Sequence, residues 1–87
     1  MTNYKKIAKY IIAHYNEGEI LSHQRIVNEV HEECGINKTS ILPADYCDNN
    51  TGVDPHVGKY HIFHKLGDGR YSVLNHEKIK KSCGLGQ

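Results

Sequence analysis

The spacing of apolar residues changes along this chain, and the change restricts what it can fold into. In residues 4–34 they recur every three or four positions, the period of a helix. In residues 60–74 two short strand-like runs flank a Gly-Asp-Gly turn. A chain of 87 residues has room for one domain, burying roughly 60% of the surface its unfolded form exposes. Helices therefore have to share one small core with a hairpin. Apolar content of 38% and a net charge of +1 argue against disorder.

The first helix is expected over residues 3–16. Ile7, Ala8, Ile11, Ile12 and Tyr15 make its apolar stripe, Tyr4 extends it, and Lys5, Lys6 and Lys9 fall largely outside. Gly18 ends it. Ser22 is a favoured N-cap for the second helix. Arg25 stands where a capping box would place Glu, so the cap is a simple one. Ile26, Val27, Val30 and Cys34 share its inner face, and Gly35 suits the left-handed residue that closes a helix. A short third helix is expected from Thr39 or Ser40 to about Asp48, with Pro43 in its first turn. Residues 49–52 read as a turn and 53–58 as loop.

The hairpin is expected as residues 60–65, a turn over 66–69, and residues 70–74, because Asp68-Gly69 favours the positive φ of tight turns. Tyr60, Ile62, His64, Tyr71 and Val73 are assigned to its core face. Lys59, His61, Phe63, Lys65, Arg70, Ser72 and Leu74 are assigned to the other. Residues 1–76 then form the domain. Residues 77–87 form a basic C-terminal tail expected to fray, with a short helix over 76–82 as the alternative.

Helix, helix, short helix and hairpin is the order of a winged helix-turn-helix, and the fold class expected is α+β of that kind. A generic α+β domain with the hairpin covering a helix pair would use the same elements. Within a winged helix, Lys38, Thr39 and Ser40 open the groove-facing helix and Asn49 lies just past its end. Lys59, His61, Lys65 and Arg70 form a cationic hairpin face for phosphates. A solvated face is the plainer account of the same charges. Charge is segregated: residues 1–40 sum to zero, 41–57 to −3 and 58–87 to +4. Near-neutrality is a sum of opposed patches, and it excludes only a globally basic DNA binder. Asp45 and Asp48 put acids on the element that would face DNA. His56, His61, His64 and His76 fall in or around the basic region, so tighter binding is expected as pH drops toward ~6.5.

Other chemistries have less support. On a strand, His61 and His64 point to opposite faces and cannot share an ion. His31, Cys34, Cys47 and His56 make a Cys₂His₂ set whose spacings match no standard zinc pattern. Cys47, Asp45 and a histidine name a nucleophile, an orienter and a base, but so short a chain seldom encloses a pocket for them. No Gly-x-Ser-x-Gly elbow or phosphate loop occurs. No cofactor, metal or catalysis is expected. Three cysteines without a CxxC pair, no signal-like N-terminus and no apolar run of ~20 residues suggest a cytoplasmic protein without membrane contact.

The block Ser40-Ile41-Leu42-Pro43-Ala44-Asp45-Tyr46-Cys47-Asp48-Asn49 resembles one found in small bacterial and phage winged-helix-like domains. These occur alone or beside HNH-type nuclease domains. In their pattern Leu-Pro-Ser-Asp-Tyr-Cys-Tyr-Asn precedes a loop and a Gly-x-Gly-x-Tyr hairpin, which Gly67-Asp68-Gly69-Arg70-Tyr71 matches. Ala44 and Asp48 depart from it. The resemblance spans about residues 3–74 and implies a DNA-linked role. It leaves Asp45, Tyr46, Cys47 and Asn49 as apt to be structural as functional, with Asp45 and Asn49 bonding loop backbone. The expected function is double-stranded DNA binding without catalysis. The alternative is a protein-interaction module, such as a phage-encoded inhibitor of a host enzyme. The sequence names neither an oligomeric state nor a target.

Overall fold

A computed structural model describes residues 2–49 and 60–85. Helix α1 spans Asn3–His14, strand β1 Ile20–Ser22 and helix α2 His23–Cys34. Two 3₁₀ turns follow, Lys38–Ser40 and Pro43–Tyr46. Strands β2, Phe63–Gly67, and β3, Arg70–Val73, form the hairpin, and helix α3 spans His76–Cys83. The chain is α+β, with one antiparallel sheet in the order β1-β3-β2. Among the described residues no helix is long and apolar enough to cross a membrane.

The two leading helices form where the stripes place them. Ile7, Ala8 and Ile11 of α1 meet Ile26 and Val30 of α2 in one core. Ser22 caps α2 by accepting from the Arg25 amide at 3.1 Å, and Gly35 closes it with φ +70°. The α1–α2 seam is also tied by polar groups. The Glu29 carboxylate accepts from Tyr10 Oη at 2.8 Å, Tyr15 Oη at 2.6 Å and Arg25 Nε at 2.6 Å. Burial pushes the Glu29 pKa up, but these three donors outweigh it and hold the carboxyl below its ordinary range.

Three expectations change. First, the sheet has a third strand. Ile20, Leu21 and Ser22 pair with Ser72, Tyr71 and Arg70. Three residues are too few to show a two-residue period, so β1 leaves no mark in the sequence.

Second, the hairpin faces are exchanged. Phe63 pairs with Val73 and Lys65 with Tyr71, so Phe63, not Ile62 or His64, shares the core face with Tyr71 and Val73. Phe63 is fully buried, its ring 5.9 Å from that of Tyr71. The cause is a bulge between Lys65 and Gly67 that leaves Leu66 unpaired. One extra residue in one strand reverses which side chains face the core. The tight turn closes on Asp68 and Gly69, both at positive φ (53° and 70°). Ile62, just before β2, is buried as well.

Third, the segment expected to fray is the helix of the alternative. Asn75 caps α3 by accepting from the Glu77 and Lys78 amides. Ile79 and Cys83, one turn apart, are buried in the common core. His76 Nε2–H donates to the Tyr15 carbonyl at 2.8 Å, next to the end of α1. Lys5, near the start of α1, has its Cε 3.9 Å from the side-chain position of Gly84, just past α3. The two helices therefore run antiparallel. Packing of two apolar residues and one good cap hold a helix that composition alone would leave loose.

Candidate nucleic-acid interface

The expected third helix is replaced by two 3₁₀ turns, and Pro43 explains the break. Proline lacks an N–H and pushes the residue before it out of the α region; Leu42 lies at φ −121°, ψ 82°. The burial of Ile41, Pro43 and Cys47 anchors the segment instead. Lys38, Thr39 and Ser40 stand exposed in the first of these turns. Asn37 fixes them by accepting from the Thr39 amide at 3.1 Å and the Thr39 hydroxyl at 3.0 Å. That leaves Lys38 as the charged group presented there.

Asn49 is spent on structure. Its Oδ1 accepts from the Lys65 amide and its Nδ2 donates to the Lys65 carbonyl, each at 3.0 Å. Beside it, Cys47 forms a parallel bridge to Phe63, and the Asp48 amide donates to the Phe63 carbonyl at 3.0 Å. The outer edge of β2 is thereby covered by residues 46–49, with one side-chain amide standing in for a strand backbone.

Asp48 has a hydrogen-bond partner on either side. His64 Nδ1 lies 2.8 Å and Lys78 Nζ 3.2 Å from its carboxylate, which is 18% exposed. Burial raises the pKa of Asp48, and the two partners outweigh that and hold it below the usual carboxylate range. One of the two acids that counted against DNA binding on this segment, Asp48, is thus matched inside the fold, joining the segment to β2 and α3, whereas Asp45 makes no ion pair among the described residues.

The hairpin cations are not brought together. Lys65 lies opposite Tyr71, so it shares the face of Tyr71, whereas Arg70 precedes Tyr71 and points to the other face. His61 is tied through its backbone: its amide donates to Ser82 Oγ at 2.9 Å, and that hydroxyl donates back to its carbonyl at 3.1 Å. Lys59 and His56 lie outside the described residues.

A family model described as a domain of unknown function, DUF7225, matches residues 2–83. The chain belongs to this family. No curated protein and no solved structure matches it significantly. The matched span of the DUF7225 domain ends at Cys83, the last buried side chain of α3.

The remaining candidate chemistry of this DUF7225 domain is muted. Cys47 is fully buried, its thiol donates to the Pro43 carbonyl at 3.4 Å, and burial pushes its pKa up to about 11. It is a protonated core residue at neutral pH, not an activated nucleophile. Among the described residues no three His, Cys, Asp or Glu side chains gather as a metal site. His31 and His76 each donate a ring N–H to a carbonyl, of Ile36 and Tyr15.

Sequence reasoning noted the basic tail but missed where it docks, and so missed a gathering of charge among the described residues. With α3 against α1, Lys78, Lys80 and Lys81 join Lys5, Lys6 and Lys9 on one pair of helices. The signals were present: Asn75 before Glu77, Ile79 and Cys83 four apart, and Gly84 as a closing residue.

Proposed function

We propose that this chain is a small, non-enzymatic domain of winged-helix build that binds double-stranded DNA. The observation that carries the reading is the sheet order. A strand between the first two helices pairs with the second arm of the hairpin, giving β1-β3-β2. Two helices, a turn-rich third segment and a hairpin on a three-stranded sheet suit a helix-turn-helix with a wing. Exposed Lys38, Thr39 and Ser40 supply donors of the kind that hold phosphates. The pairing of Asp48 with His64 and Lys78 lowers the electrostatic penalty of bringing this segment to DNA.

Titrating a labelled duplex with the protein at low and moderate salt tests the reading. Binding that weakens linearly in log salt is expected, since each neutralised phosphate releases counterions. A protein that leaves the duplex unbound at low salt contradicts it. A second reading, a protein-interaction module, is favoured by Ile20, Leu42 and Leu66, which stand exposed. Partners retained after nuclease treatment, with no affinity for DNA, would select it.

A further inference from the structure

Cation placement differs sharply between the elements. Helices α1 and α3 together carry six lysines and one acid, Glu77, whereas α2 carries Arg25 against Glu29, Glu32 and Glu33. Because α1 and α3 are antiparallel, the lysine-bearing first half of α1 lies beside the lysine-bearing last half of α3. Lys78 is held by Asp48 and Lys80 by Glu77 at 3.6 Å. Among the described residues, Lys5, Lys6, Lys9 and Lys81 have no carboxylate within ion-pair distance. Lys5 and Lys9 are four residues apart and Lys6 and Lys9 three apart, spacings at which like charges on a helix repel. The fold thus concentrates positive charge here with little internal compensation.

We infer that the α1–α3 face, centred on Lys5, Lys9 and Lys81, is the surface that receives the phosphate backbone of double-stranded DNA. The inference rests on the DNA-binding reading above and relocates its main electrostatic contact from the hairpin to the helix pair. Charge complementarity identifies the occupant. Duplex DNA carries a negative charge about every 1.7 Å of its axis, so it can meet several lysines spread over two adjacent helices at once. A lipid surface fits less well. An interfacial helix exposes apolar side chains beside its cations. Among the described residues the exposed large apolar side chains are Ile20, Leu42 and Leu66, none of them on α1 or α3.

The test compares a Lys5→Gln/Lys9→Gln/Lys81→Gln variant with a Lys65→Gln/Arg70→Gln variant. Each is titrated against a labelled duplex and against phosphatidylserine vesicles. Thermal melting, and a Lys→Arg version of the first set, separate charge from folding. The expected result is a duplex affinity at least about tenfold weaker for the first variant. Its salt slope should flatten by about 0.9 for each phosphate no longer neutralised. Its melting temperature should be unchanged, the arginine version should bind as the parent does, and the hairpin variant should stay within about twofold. Parent-like binding by the first variant, with loss in the hairpin variant, overturns the inference and leaves DNA binding intact. Failure of the parent to bind any duplex overturns both. Lysine-dependent vesicle binding without duplex binding does the same, and assigns the face to membranes.

Discussion

The hairpin and the α1–α3 pair carry cations in opposite ways. On the hairpin, Lys65 and Arg70 are close in sequence, yet the strand alternation sends them to opposite faces of the sheet. On the helices, lysines more than 70 residues apart in the chain are drawn to the same end of a helix pair. A cluster in sequence was dispersed by a two-residue period, and a dispersed set was gathered by antiparallel packing. Local charge along a chain therefore says little about a binding surface until the register and the docking are known.

The contrast disappears if α3 leaves α1. Ile79→Ala removes a fully buried side chain from the shared core, and a loss of about 2–5 kcal/mol is expected from such a truncation. Urea denaturation checks the stability. In whatever fraction stays folded, duplex affinity should fall as well, because Lys80 and Lys81 depend on α3.

Asp48→Asn tests the link between α3 and the hairpin. It exchanges a carboxylate for a neutral amide between His64 and Lys78, and the expected cost near neutral pH is about 1.5–3 kcal/mol, the range for hydrogen bonds to charged groups. The sign with pH follows from the lowered pKa. The folded-state value lies below the unfolded one, so the stabilisation is complete above the unfolded pKa of about 3.9 and is lost as pH falls through the folded value. The variant's stability should therefore fall less steeply than the parent's below about pH 4. Glu29, whose pKa is also lowered, contributes in the same direction to the parent's acid limb.

Smaller effects are expected within the hairpin itself. Asn49→Ala removes both side-chain bonds to the β2 edge, at a cost of about 1 kcal/mol. Faster exchange of the Lys65 amide proton is the specific sign. Lys65→Gln with Arg70→Gln should alter folding stability by no more than about 0.5 kcal/mol, as for surface changes generally.

Much of the fold was legible because its signals are local. The stripes of α1 and α2, the Ser22 cap, the Gly35 terminus and the Asp68-Gly69 turn each depend on a few neighbouring residues. What escaped depends on distant partners. The bulge at Leu66 flips the faces of a strand whose sequence runs Ile62-Phe63, apolar on both sides. Strand β1 exists because β3 offers an edge. Pro43 does open a short helical piece, but the burial of Ile41 and Cys47 on either side leaves no length for a full helix. Of the candidate site, Lys38, Thr39 and Ser40 are exposed on a 3₁₀ turn and not at the start of the helix expected there, Asn49 proved to be a strand surrogate, and the lysines of α3 were hidden by their tail-like composition.

Whether duplex DNA meets the α1–α3 face can be read residue by residue, by following backbone amide shifts in NMR spectra while a duplex is added. The largest shifts are expected at residues 5–9 and 80–84, with smaller ones at 38–40. Shifts confined to residues 65–70, or none at a saturating concentration of duplex, would rule that face out.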